Sequence, residues 1–386
     1  MVKMLVLVRH GDAEGRGPAG DIGRRLTDEG RLALEAAYPK AFKPLRDATS
    51  LALWASPAIR AMQTAAVIAA CLLLAACTAT QNTAENSPAA QSTQNPAWDK
   101  QYGGADKSYD SRLLVLREQI APRFEVLTFK DPQTGKEMQY NLYTPKNLEP
   151  GRKYPLVMFI ADASTAGKGV KAPLMQGYGG IIWATDEAQA KHPAFVLVPS
   201  YTETAVNDQW QTSDEVGMTL RLVKSLMTQK PIDPDRVYTT GQSMGGMISF
   251  YLNSIEPNFF AASMFVGSQW DINVLKPLTQ AKFIYTVSAA DQKASAGMAQ
   301  VGEMLQQNKV AYAETEFSAK LPQAEQDAKV QQMLAQGKRI NFIRFTPNTV
   351  IPANTTHKGA EHMYSFDYAY LLEPARDWLM QQKRGK

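Results

Sequence analysis

Cysteine is nearly missing from this sequence. The chain holds two, Cys71 and Cys77, and none after them, so no internal disulfide or cysteine-based zinc site can form downstream. Histidine is almost as scarce: His10, His192, His357 and His362 are the full set, and no His/Cys grouping has metal-ligand spacing. Neither sign of charge dominates, with 41 Lys and Arg against 37 Asp and Glu, and no basic run or nucleic-acid motif focuses the slight excess. Nucleic acid is therefore not inferred as a partner, and no metal or organic cofactor is implied. What is present is a globular composition, 45% hydrophobic and 20% charged, over 386 residues, enough for one large domain or two ordinary ones.

An uncharged apolar stretch runs from Ala61 to Cys77, AMQTAAVIAACLLLAAC, directly after Arg60. It falls short of the about 20 residues of a membrane-spanning helix and suits the apolar core of an export signal. Within the segment 67–77, Leu74-Ala75-Ala76-Cys77 resembles a lipobox, in which small residues expose the bond before a cysteine that receives lipid. That resemblance implies lipidation and membrane attachment at Cys77; the other reading is a buried core helix. Residues 78–110 are rich in Thr, Gln, Asn, Ser, Ala and Gly, too poor in aliphatics to offset their ordering entropy, so a flexible linker is expected over 78–115. It would serve as a lipoprotein tether or as an ordinary interdomain linker. With the signal used, from a start near Met62, the protein is expected in the periplasm or anchored at the outer membrane; with residues 1–66 genuinely in front, it is expected in the cytoplasm.

The first residues, MVKMLVLVRHGDAE, run an apolar strand into Arg9-His10-Gly11, followed by RRLTDEGR (24–31) and SPAIRAMQTA (56–65). Together they resemble the histidine phosphatase superfamily, in particular its small phosphohistidine phosphatases. The resemblance implies a phosphorus-attacking His10 in a cationic clamp of Arg9 and Arg60. It stops near residue 66, without the second histidine and further strands the family needs. Residues 1–66 are thus expected to be a truncated and inactive βα segment, since so short a piece struggles to fill a core.

From 116 to 386 the pattern alternates. Strands are expected at 124–130, 137–145, 154–161, 194–200, 236–241, 261–267, 282–288 and 340–346, and helices at 213–229, 244–254, 296–307 and 367–382. This predicts an α/β domain: a mostly parallel sheet with helices on both faces, led by an antiparallel pair. His192, in KHPAFVLVPS, reads as the lead-in to a strand.

The most specific motif is RVYTTGQSMGGMISFYL, a strand entering Gly241-Gln242-Ser243-Met244-Gly245 with an apolar helix behind it. Such a strand–turn–helix lifts a nucleophilic serine above the sheet edge and aims helix N-terminal amides at a developing oxyanion. The hydroxyl needs a base and the base an orienting acid, in the chain order Ser, Asp or Glu, His. Asp291, in SAADQKA, follows the second strand after the elbow; Asp271 is the rival, one strand earlier. His362 is preferred as base over His357, because a loop before the C-terminal helix would carry it over Ser243. Oxyanion donors are expected from the backbone of Met244 and of Ala163, the latter in the loop after YPLVMFIADAST.

YPLVMFIADAS, IDPDRVYTTGQSMGGM, SAADQKA and EHMYSFDYAY with ARDWLMQQ resemble the α/β-hydrolase esterases related to polyhydroxybutyrate depolymerases, feruloyl esterases and prolyl-oligopeptidase-like hydrolases, over about residues 120–384. Where many of those relatives carry His-Gly, this chain has Ala161-Asp162, which alters the oxyanion loop. The resemblance implies a serine hydrolase of small or polymeric carboxylic esters, with peptides as the other substrate class, acting through Ser243, Asp291 and His362. The competing readings are a phosphohistidine phosphatase using His10 and a non-catalytic binding protein on a hydrolase scaffold. Acyl size depends on pocket walls in loops 162–186 and 201–214, which periodicity does not resolve.

Overall fold

The computed structural model describes residues 100–353, 355 and 359–385; Arg9, His10, Arg60, Cys77 and His357 lie outside the described residues. In chain order these residues form α1 (Ser111–Ile120), β1 (Glu125–Lys130), β2 (Glu137–Tyr143), β3 (Tyr154–Ile160), three short helices α2 (Ala172–Met175), α3 (Tyr178–Ile181) and α4 (Asp186–Lys191), then β4 (Phe195–Pro199), α5 (Asp214–Gln229), β5 (Ile232–Gln242) and α6 (Met244–Ile255). They continue with β6 (Ala262–Val266), β7 (Phe283–Ser288), α7 (Gln292–Gln307), β8 (Ala313–Phe317), α8 (Gln323–Leu334), β9 (Ile340–Phe345), α9 (Ala360–Leu371) and α10 (Glu373–Gln381).

The strands make one nine-stranded sheet in the order β1-β2-β4-β3-β5-β6-β7-β9-β8. β1 pairs antiparallel with β2, and β2 with β4. Every other pairing is parallel. Strands β3, β4, β6 and β7 are buried along their whole length because both of their faces are covered. Alternation decides which side each residue faces: Val157 and Phe159 of β3 join a cluster with Tyr178, Phe366 and Leu379, whereas Leu156, Met158 and Ile160 join one with Val216, Ile248 and Met298. The helices thus fall into two layers, with α5, α6 and α7 contributing to one cluster and α1, α3, α8, α9 and α10 to the other. This is the expected α/β-hydrolase arrangement.

Three expectations change. The linker does not extend to 115: Ala105 and Leu113 are buried, α1 begins at Ser111, and Lys107, 1% exposed, forms a 2.7 Å ion pair with Asp367 of α9. Residues 100–115 gain order from a few anchoring contacts that composition does not reveal. The expected helix 367–382 is two helices: one starts earlier, at Ala360, and the chain leaves helical geometry at Leu372, with Pro374 opening the next. β8, AETEF, was not expected, since its alternation rests on glutamates at a sheet edge where only Ala313 and Phe317 are buried.

A buried ion pair holds the leading hairpin to the helical layer. Asp131, solvent-inaccessible after β1, accepts bonds from Arg221 Nε (2.6 Å) and Nη2 (2.8 Å) on α5 and from the Thr134 amide and hydroxyl. The Arg221 bonds hold its carboxyl well below the usual carboxylate range, against the opposing effect of burial. A carboxylate depressed on folding adds stability that is complete above its unfolded pKa, about 3.9, and is lost as pH falls through the folded value. Asp131→Asn is therefore expected to cost about 2 kcal/mol at pH 7, discounted from a fully buried pair because Arg221 is partly exposed. The deficit should narrow below about pH 4. Urea unfolding of both proteins at pH 7 and pH 3.5 checks this; equal deficits at the two pH values would contradict it.

Candidate active site

Ser243 stands between the end of β5 and the first residue of α6 with φ 50° and ψ −118°, a backbone conformation L-residues rarely adopt. Holding it there costs of order 1–3 kcal/mol. The turn is possible because the residues two positions to either side have no side chains: a Cβ on Gly245 would lie 1.9 Å from the Ile160 carbonyl oxygen, and one on Gly241 2.3 Å from Gly245. The Ser243 amide is fixed to the Val266 carbonyl of β6 at 3.0 Å. The hydroxyl is thereby presented at the carboxyl edge of the parallel strands.

The same edge supplies the other groups. Asp291 follows β7 as the cap of α7 and is 8% exposed; its Oδ1 accepts the Ala294 amide at 3.3 Å. Its Oδ2 lies 2.5 Å from His362 Nδ1, and His362 Nε2 lies 2.8 Å from Ser243 Oγ. A carboxylate can only accept here, so it selects the imidazole tautomer protonated at Nδ1 and leaves Nε2 to accept the serine proton. The structure therefore joins Ser243, His362 and Asp291 in one hydrogen-bonded chain. Asp271 takes no part: its carboxylate caps a turn, accepting from the Asn273 amide and side chain.

His362 reaches the serine from the first turn of α9, not from a loop before the helix. Gly359, at φ 73°, turns the chain into that helix, and its carbonyl accepts the His362 amide at 3.0 Å. Neighbouring Glu361 pins this turn, accepting from the Ser288 hydroxyl at the end of β7 and from the Asn348 amide at 2.5 Å. Glu361 carries no motif, and its role was not legible in the sequence. The ring of Phe366, one turn on, stands nearly perpendicular to the imidazole, 4.9 Å between centroids. Beneath Asp291, Tyr285 donates to the carbonyls of Ser268 and Ala294. Burial first, and the Asp291 charge second, push its phenol well above the ordinary range, so it stays neutral.

Met244 and Ala163 each occupy the first position of their helical turns, where an amide has no intrahelical acceptor. Ala163 follows β3, whose end lies against the start of α6. Beside Met244, the Ala205 amide approaches its Sδ at 3.4 Å, so the loop after β4 walls the elbow. Trp210 of that loop packs edge-on to Trp270, 5.4 Å between centroids. Among the described residues no group of three or more His, Cys, Asp or Glu side chains is placed to hold a metal ion, and no described helix is long and apolar enough to cross a membrane.

Two family models match parts of this chain. A histidine phosphatase superfamily (branch 1) model matches residues 5–84, further than the residue 66 expected and across the apolar segment. No curated protein matches. Among solved structures, a thermostable esterase is 22% identical with a TM-score of 0.54, over 69% of this chain and 64% of that one. A ferulic acid esterase from Anaeromyces mucronatus is 10% identical (TM-score 0.43; 65% of this chain, 90% of that one), and a Pyrococcus horikoshii acylaminoacyl peptidase 13% identical (TM-score 0.43; 68% and 43%). The chain thus spans just under two thirds of the length of the thermostable esterase. A family model described as "Putative esterase" matches residues 132–369, from the leading hairpin through β5 and α6 to α9, and the chain belongs to that esterase family.

Proposed function

We propose that this protein is a serine hydrolase that cleaves carboxylic esters through an acyl-enzyme on Ser243. The observation that carries the reading is the hydrogen-bonded chain Ser243–His362–Asp291 ending on a strained elbow. His362 Nε2 takes the hydroxyl proton as Ser243 Oγ attacks the acyl carbon, and Asp291 stabilises the imidazolium that forms. The amides of Met244 and Ala163 receive the oxyanion. His362 returns the proton to the departing alcohol, then activates the water that frees the acid. Esters are favoured over amides as substrates because membership of the esterase family adds to the geometry; peptide cleavage is the second substrate class to assay.

Turnover of a p-nitrophenyl ester should fall by about 10⁴-fold or more in Ser243→Ala and in His362→Ala. His357→Ala should stay within about twofold of the parent, since His362 already supplies the base that meets Ser243. Full turnover by Ser243→Ala, or loss in His357→Ala with none in His362→Ala, would sink the assignment. A fluorophosphonate probe should label Ser243; an unlabelled, folded protein would favour a binding role instead.

The reading extends to location. The run ending Leu74-Ala75-Ala76-Cys77 supports lipidation of Cys77, which would hold the hydrolase at a membrane through the residues that follow. Intact mass of the protein from bacterial cells should show a species beginning at a diacylated Cys77; an unprocessed 386-residue chain would refute this part alone.

A further inference from the structure

Asp162 is the residue by which this chain departs most visibly from the His-Gly expected after β3, and it is 2% exposed. Its carboxylate collects four donors, all uncharged. Oδ1 accepts the Ser164 amide (2.8 Å) and hydroxyl (2.5 Å); Oδ2 accepts Gln176 Nε2 and, at 3.0 Å, Gln242 Nε2. The two glutamines are joined in turn, Gln242 Nε2 donating to Gln176 Oε1 at 3.1 Å, and Gln176 Nε2 also meets Ser164 Oγ at 2.8 Å. Gln176 and Gln242 are both buried, at 1%.

The placement of these groups gives the cluster its meaning. Asp162 caps the 3₁₀ turn Ala163–Thr165, so its Oδ1 sets the direction of that turn and of the Ala163 amide. Gln242 is the residue immediately before Ser243. One carboxylate therefore spans the two backbones that must present oxyanion donors to the same atom: the turn after β3 and the elbow after β5. Buried hydrogen bonds of this kind fix a geometry firmly because breaking one leaves an unsatisfied group in a dry site.

Resting on the serine-hydrolase reading above, we propose that Asp162 is a positioning residue that locks the Ala163 amide in register with Ser243 through Gln176 and Gln242. It touches no substrate; it acts through the turn it caps. Asparagine in its place is nearly isosteric but replaces one acceptor oxygen by an NH2 group. In either orientation that group faces donors, the Ser164 amide on one side or the two glutamine amides on the other. The turn then shifts, and only a state with charge on the carbonyl oxygen senses the shift.

The test compares Asp162→Asn with the parent, with rates normalised to sites titrated by fluorophosphonate. The expected result is a kcat lower by about 10- to 100-fold with KM changed by less than about threefold. Affinity for an alkylboronic acid, whose tetrahedral adduct on the serine places an oxygen where the oxyanion forms, should fall by a similar factor. The double variant Asp162→Asn with Gln176→Glu restores an acceptor opposite the new NH2 group and should recover most of the loss. Gln176→Met, which removes one donor, provides a milder variant if the first does not fold, and should show the same split at smaller size. Asp162→Asn with kcat within twofold of the parent, or with kcat, KM and thermal stability all impaired together and no recovery in the double variant, overturns the proposal. Ser243→Ala run alongside separates the two readings: turnover retained there removes the serine mechanism and this proposal with it, whereas turnover lost there beside an unaffected Asp162→Asn overturns only the positioning role.

Discussion

The close approach of α6 to the end of β3 is the constraint on which the rest of the site depends. Gly245 lies so near Ile160 that no side chain fits between them, and this contact holds Ser243 at positive φ. Strain of this kind persists only when its surroundings over-determine it. Here they do: the Ser243 amide is tied to β6, and Gln242 is tied through its side chain to Asp162. Backbone hydrogen bonds of the parallel strands provide the rigid frame, and the carboxyl edge of that frame gathers residues far apart in sequence. Ser243, Asp291 and His362 come from three separate regions of the chain, after β5, after β7 and after β9.

Much of this is legible in the sequence alone. Runs such as YPLVMFIA and KFIYTVS read as strands because both faces of the central sheet are buried, which leaves no polar alternation to confuse length and composition. The elbow was legible because its chemistry is local: glycines two residues either side of a serine, between a strand and an apolar helix. Chain order then narrowed the acid and base to Asp291 or Asp271 and to His362 or His357, because so few histidines were on offer.

Other features were not legible, for physical reasons. β8 exposes its glutamates at an edge and buries only its two ends, so its apolar signal is weak. The start of α9 was missed because Gly359 and the polar residues after it resemble a loop until the turn is pinned by Glu361 to Ser288, 73 residues away in sequence. Asp162 read as a departure from an expected pair, not as the centre of a cluster. Its partners Gln176 and Gln242 stand 14 and 80 residues away, and neither glutamine carries any pattern of its own. Long-range satisfaction of buried polar groups is a property of the folded chain that periodicity does not encode.

The ion pair between Lys107 and Asp367 sets where the folded unit begins. Asp367 lies on the helix that carries His362, and its other oxygen accepts the Tyr178 amide at 2.9 Å. The arm holding Lys107 is thus part of the folded unit, although its composition resembles spacer. Loss of Lys107 would strip a buried carboxylate of its cation on the very helix that carries His362. The folded unit therefore begins, in its contacts, at the arm that carries Lys107 and not at β1.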